Sequence, residues 1–554
     1  MTVERSRAAV NEGRASTQSG AHILLAALES RGVTVLFGVP GHGAYPIYDA
    51  INDFPGMRTI VGRHEQGITF AAIGYAWSSG RVAVATSVPA AGLTNASTAL
   101  LEATMSQDRL IFLLESDATH SDILRSVARY HRRVDECSEV QSAVNELLDR
   151  LEFGRPGAAV LEVPNAVLNT KIDTDAADAT TAAMDRPSVP DRIGEAAKFL
   201  ASSTRVVVLA GATAVAACAE RDLRRLAEQL GAPVMTDGFA KGALPEAHPL
   251  SLGHSWTPGG PGERLLTEAD AVLVVGAPVA AAQNTAVWDP AMVVGGRSAQ
   301  RLAAQLVLVD WDDQVLAKTP ARYRLYGDVP AIITALAEAV SDRVTSPYSV
   351  DTLDEIRDLP KRYAEQRIPW ALPAVEGIAD ALPDDGIVLA DSLIGVWLDR
   401  LLPAQASRIF RFPWGTGTLG FGIPAAVGAK IANPEREVVV IAGDGAFLYN
   451  PQELATMRMY GLKVTVIVAN DNCYGAIKHN MTENFGRSTA HSLSNPDFIQ
   501  LGQAFGMNTI RLNEPAELGD ALASALAGSK STLIEVPLEL KPPAALYSFA
   551  VGYV

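Results

Sequence analysis

Short runs of aliphatic and β-branched residues recur along the chain, separated by longer segments with apolar residues at i, i+3 and i+4. The runs include Thr34–Gly38, Val82–Val88, Leu110–Leu114, Ala158–Val163, Val206–Ala210, Ala271–Gly276, Leu306–Asp310, Ile387–Ala390, Val438–Ala442 and Val464–Ala469. Segments such as Ala21–Arg31 and Pro451–Tyr460 between them carry the helical period. Continuous apolar strands alternating with amphipathic helices predict βαβ units and parallel sheets covered on both faces. Two stretches, 170–191 and 340–352, are polar or Ala/Asp/Thr/Pro-rich and have no period, so they read as connections. The expected fold class is therefore α/β, with three domains of mainly parallel, doubly wound sheet. Residues 1–17 are expected to form a disordered tail, 18–170 the first domain, 171–190 a linker, 191–340 the central domain, and 350–554 the third domain with a C-terminal tail.

The chain's 554 residues exceed what one hydrophobic core organises, which agrees with that division. The 62 acidic residues outnumber the 46 basic ones, giving a net charge of −16. That balance argues against a nucleic-acid binder and against docking on an anionic membrane. No apolar run is long enough to span a bilayer, and residues 1–17 lack the apolar core of a signal peptide. The three cysteines, Cys137, Cys218 and Cys473, have no metal-ligand spacing and fit a reducing compartment, so a cytoplasmic location is expected.

The densest chemistry lies at 438–475. A buried strand runs into Gly443-Asp444-Gly445, an amphipathic helix follows, and a second buried strand ends in Asn470-Asp471-Asn472. Ligands of open parallel sheets bind at the carboxyl ends of strands. One strand–helix–strand unit brings Asp444 and Asp471 side by side there, where two carboxylates repel unless a cation lies between them. Mg²⁺ takes one or two carboxylates together with phosphate oxygens. Gly443, Gly445 and the following helix start let backbone N–H groups approach a phosphate. The segment thus suits a metal-bound diphosphate.

This pattern resembles the motif of thiamine-diphosphate enzymes of the acetolactate synthase and 2-oxo-acid decarboxylase type. The resemblance implies two thiamine-diphosphate-binding domains flanking a Rossmann-like central domain. It makes Asp444 and Asp471 side-chain ligands of Mg²⁺ and Cys473 a carbonyl ligand; the second ligand is more often Asn in the family. Ala446, Tyr474 and Gly475 join Gly443 and Gly445 as cofactor contacts. Upstream, Phe412-Pro-Trp-Gly-Thr-Gly417-Thr-Leu419-Gly resembles the stretch that holds the aminopyrimidine, with the Gly417 carbonyl as acceptor and Leu419 as the residue under which the cofactor bends. Asp391 and Ser392 are expected to line the same crevice. In the first domain, Arg63-His64-Glu65-Gln66 followed by Phe70-Ala-Ala and Gly74-Tyr-Ala is similar to the segment whose glutamate activates the aminopyrimidine, which makes Glu65 the catalytic carboxylate. In the family that glutamate comes from another subunit, so a homodimer or homotetramer with active sites at the interface is implied. The central part has neither a clear G-x-G-x-x-G nor the family's Arg-Phe-Asp-Asp segment, and FAD is not inferred.

The chain departs from its relatives on the substrate side. The family's Ser-Gly-Pro-Gly-x-Thr-Asn loop is here Pro89-Ala90-Ala91-Gly92-Leu93-Thr94-Asn95, and Asp-Ser-x-Pro is replaced by Ser106-Gln107-Asp108-Arg109. The loop from Asp117 to Arg129 is shorter than its counterpart. Candidate substrate contacts are His42, His64, Gln107, His120 and Trp414. The activity the resemblance implies is that of a carboligase or lyase: decarboxylation of a 2-oxo acid to an enamine, then attack on an aldehyde or ketone. The alternatives are a non-oxidative 2-oxo-acid decarboxylase, a C–C hydrolase of a 1,2-diketone, and a non-catalytic homologue.

Overall fold

The computed structural model describes residues 17–115, 121–173, 189–255, 261–277, 303–340 and 346–543. Three parallel sheets dominate it. The first has the strands Val35–Gly38, Arg58–Val61, Ala83–Ser87, Arg109–Leu114, Tyr130–Arg133 and Gly157–Glu162; the third has Ile387–Ala390, Phe410–Arg411, Val438–Gly443, Thr465–Asn470, Asn508–Arg511 and Thr532–Pro537. Counted along the chain within each, both sheets have the spatial order 2-1-3-4-6-5. The first and third parts therefore share one topology, although their residues do not reveal it. The central sheet has five parallel strands from Val206–Ala210 to Tyr323–Tyr326 and a core of its own.

The first and third sheets share a hydrophobic core. Its centre is a pair of helices, Glu65–Ser79 and Gly422–Ala432, each following the second strand of its sheet. Two glycines make their close contact possible. A Cβ on Gly428 would lie 1.7 Å from the Ala71 carbonyl oxygen, and one on Gly74 would lie 2.0 Å from that of Ala425.

The ends of the first part differ from expectation. Thr17–Ser19, spanning the expected boundary between tail and first domain, and Lys171–Asp173, at the start of the expected linker, pair as a short antiparallel ribbon. Three ladder partners closing the two ends of one domain outweigh the polar composition of both segments. At the end of the described residues, the carbonyls of Lys541 and Pro542 accept from Trp397 and Arg367, so these two residues are docked on the third domain. Among the described residues no helix is long and apolar enough to cross a membrane.

Candidate active site

A cleft of about 550 Å³ opens at the carboxyl ends of the central strands of the third sheet and extends to the central domain. Val438–Gly443 and Thr465–Asn470 are paired through Gly443 and Ala469, so the residues that follow each strand emerge side by side. Asp444, 2 % exposed, starts the helical turn Asp444–Phe447. Asp471 follows the neighbouring strand. Burial first, and then the charges of Asp444 and Glu539, push the Asp471 carboxyl up to about 7. Burial also raises Asp444, against the hydrogen bond from Asn495 and backbone N–H groups. The Asn495 amide nitrogen sits among three oxygens: Asp444 Oδ2 at 2.6 Å, Asn470 Oδ1 at 3.1 Å and Asn472 Oδ1 at 3.2 Å. Oxygens gathered around one electropositive group suit a hard cation. No group of three His, Cys, Asp or Glu side chains suited to a metal occurs among the described residues, so a metal here needs oxygens from elsewhere, as a diphosphate provides. Gly475 and Ala476, at the start of the helix Gly475–Phe485, line the cleft beside the carboxylates and offer N–H groups and the positive end of the helix dipole to an anion.

The other wall is the segment Phe412–Gly420. Gly417 has φ +64°, and a Cβ there would meet nothing within 4 Å, so its backbone conformation demands glycine while its surroundings stay open. Gly417 and Leu419 face the cleft together with Trp414, Ser392, Gly445, Ala446, Cys473 and Tyr474. Asp391 does not. It is buried, its Oδ2 accepts from the N–H groups of Gly420 and Gly422 at 3.1 and 3.0 Å, and it fixes the turn behind the wall. Desolvation pushes its carboxyl up to about 7.

Sequence reasoning missed the anchor of this segment. Glu102, from the first part and 0 % exposed, accepts from Ser106 Oγ at 2.6 Å, Thr416 N and Oγ1 at 2.8 Å each, and Gly415 N at 3.3 Å. Arg411 lies 3.5 Å from it and bonds Asp108 at 2.7 Å. Sequence reasoning also missed the cleft's far end, where His254, Asp237 and Arg400 lie.

The first-part candidates are elsewhere within one chain. Glu65 begins its helix beside the N-cap His64, whose ring accepts from Gln66 N, and its carboxylate accepts from Asn95 at 3.0 Å. His42 is exposed, 5.7 Å from the Tyr45 ring. None of these lines the cleft. Gln107 is buried, its Oε1 accepts from Thr213 of the central domain at 3.0 Å, and it does not line the cleft. His120 lies outside the described residues. Ala90, standing where relatives carry glycine, has φ +55° and so keeps a strained conformation that suits glycine better.

Three family models match in register with these domains. "Thiamine pyrophosphate enzyme, N-terminal TPP binding domain" covers residues 18–130, the central domain of the same family covers 193–336, and the C-terminal TPP binding domain covers 393–536. The chain belongs to the thiamine pyrophosphate enzyme family. Within that family it is similar to acetolactate synthase large subunits. It is 30% identical to that of Parasynechococcus marenigrum, over 94% of this chain and 87% of the relative. It is 28% identical to the isozyme 1 large subunit of Escherichia coli, over 98% and 100%, and to the probable large subunit of Methanocaldococcus jannaschii, over 94% and 92%. It is thus a thiamine-diphosphate enzyme of the acetolactate synthase type.

Proposed function

We propose that the protein is a Mg²⁺-dependent carboligase acting on a 2-oxo acid, with an aldehyde or ketone as acceptor. The observation that carries this reading is the facing pair Asp444 and Asp471 beside a glycine-lined cleft, two raised carboxylates that a divalent cation would satisfy. Asp444, Asp471 and the Cys473 carbonyl would hold the metal; Gly443, Gly445, Ala446, Tyr474 and Gly475 would hold the diphosphate. When bound, thiamine diphosphate supplies a carbon nucleophile and an electron sink for decarboxylation. The Gly417 carbonyl and the Leu419 side chain would orient the aminopyrimidine. Glu65 would hold a proton at its ring nitrogen, supplied from a second subunit, because within one chain Glu65 stands apart from the cleft. The working unit is accordingly a homodimer or homotetramer. The free thiols of Cys137, Cys218 and Cys473 support a cytoplasmic setting.

Calorimetric titration with thiamine diphosphate, with and without Mg²⁺, tests the site. Binding that ignores the metal would sink the metal assignment. A screen of 2-oxo acids, with and without aldehydes, scores CO₂ release and carbon–carbon bond formation separately. A hydroxyketone product supports the ligase. CO₂ with free aldehyde would replace it with a decarboxylase.

A further inference from the structure

The cleft has a second polar end, away from Asp444 and Asp471. The helix Ser392–Leu401 forms the wall between the two ends. Ser392, at its start, accepts from Gly443 N at 2.9 Å. Asp399 and Arg400 lie two turns further on, about 12 Å away at 1.5 Å per residue. Asp399 is 0 % exposed, on a helix whose other inward residues are apolar apart from Gly395. Its carboxylate is hydrogen-bonded to Nδ1 of His254, a residue of the central domain that lines the cleft. The His254 ring also meets Trp414 edge-on, with centroids 5.7 Å apart. The other charged groups facing the pair are Arg400, 4.0 Å from Asp399, and buried Lys241, which pairs with Glu246 at 2.8 Å. Asp237 faces it too; its Oδ1 accepts from the Phe239 and Ala240 N–H groups, and its Oδ2 is sealed from solvent.

The chemistry of the 2-oxo-acid reading requires a proton. A 2-oxo acid is an anion. Its carboxylate plus H⁺ gives an aldehyde and CO₂; its carboxylate plus an aldehyde plus H⁺ gives a hydroxyketone and CO₂. One proton is consumed in either case, on carbon in the first and on the acceptor oxygen in the second. The cleft lining is mostly apolar, so delivery needs a placed donor. We propose that His254, as the imidazolium whose Nδ1–H is held by Asp399, delivers that proton from Nε2. In carboligation the new carbon–carbon bond takes the donor fragment's electron pair. The π pair of the acceptor carbonyl moves onto its oxygen, the Nε2–H proton joins that oxygen, and water reprotonates the ring. The carboxylate behind Nδ1 orients the ring and stabilises the imidazolium. Burial pulls His254 below its ordinary value against that help, so delivery weakens as pH rises through the lowered value.

The proposal rests on the 2-oxo-acid reading. The test compares His254→Gln and Asp399→Asn holoenzymes with the parent. Thiamine-diphosphate affinity in magnesium buffer, measured by calorimetry, is expected to stay within about twofold in both. In His254→Gln, kcat should fall about 100-fold or more with KM little changed, and the kcat–pH profile should lose one ionisation. In Asp399→Asn that ionisation should persist but move to lower pH. An unchanged kcat and profile in His254→Gln would overturn the proposal. So would a loss of turnover matched by lost cofactor binding, which marks a structural role. A parent enzyme that releases no CO₂ from any 2-oxo acid overturns the functional reading instead, and the proposal with it.

Discussion

Removing the Glu102 carboxylate tests whether the cofactor-facing wall is held from the first domain. Glu102→Ala strips the buried Gly415 N–H and the half-buried Thr416 N–H of their acceptor. Each buried donor left unsatisfied costs about 1–3 kcal/mol. The Ser106 and Thr416 hydroxyls can turn to other acceptors, and Arg411 keeps Asp108, so those contacts add little. The net loss is about 3–5 kcal/mol, the range for breaking a buried charged network. At about 2–4 °C per kcal/mol for a domain of this size, the melting transition should drop by roughly 6–20 °C. Glu102→Gln should recover only part of it. Both carboxylate oxygens accept hydrogen bonds here, and an amide in either orientation turns its NH₂ group toward a donor. The assay is thermal unfolding paired with calorimetric thiamine-diphosphate binding. Cofactor affinity should fall with stability, because Gly417 follows directly from the anchored residues. A Glu102→Ala protein that melts with the parent and binds cofactor equally well would refute the reasoning.

Asp444→Ala should weaken thiamine-diphosphate binding in magnesium buffer by more than about 100-fold, beyond the loss for an outer-shell partner, and chelation of the parent should mimic it. Gly428→Ala should force the helices Glu65–Ser79 and Gly422–Ala432 apart and cost about 1–3 kcal/mol or more by denaturant unfolding; Gly194→Ala, whose Cβ meets nothing within 4 Å, should be neutral or slightly stabilising. Asp391 has a folded value of about 7 against 3.8 for the free side chain, so its share of stability is full at acid pH and is lost as pH rises between those values. Asp391→Asn should therefore gain on the parent from pH 4 to pH 7, by an amount below about 4 kcal/mol, and hold that gap above; equal gaps at pH 5 and pH 8 would contradict the assignment.

Features that chemistry packs into one βαβ unit were legible from the chain alone. Asp444 and Asp471 directly follow two adjacent strands, and strand register brings them together. Gly417 and Leu419 were readable for the same reason, since one short loop carries them. What escaped was pairing across domains. Glu102 is 314 positions from Thr416, and Asp399 is 145 from His254. No local period encodes such partners. A signal did exist: both acids sit on inward helix faces among apolar neighbours, and a charge there requires a partner. Asp391 was misplaced because a polar residue ending a strand can turn toward the ligand or back toward its own loop, and only the positions of the Gly420 and Gly422 N–H groups decide between them. The 2-1-3-4-6-5 order shared by two sheets was invisible because apolar strands of different sequence satisfy one topology equally well.

The proposed sharing of the site between two chains predicts the behaviour of mixed subunits. Glu65 and the cleft both lie at carboxyl ends of strands, on sheets of the same order, yet Glu65 does not line the cleft of its own chain. In the proposed twofold assembly each chain would lend its first-domain edge to the partner's cleft. On that proposal a Glu65→Gln chain would lack the activating carboxylate for its partner's site, and an Asp444→Ala chain the metal ligand for its own. Each variant alone is expected to be inactive. In a heterodimer of the two, one site carries both defects and the other carries neither. Random mixing makes about half of the dimers hybrid, each with one intact site of two, so about one quarter of the parent activity should return. A site built within one chain predicts no recovery, since every site then keeps one defect. Subunit exchange followed by turnover measurement separates the two, and a mixture as inactive as its components would refute the shared site.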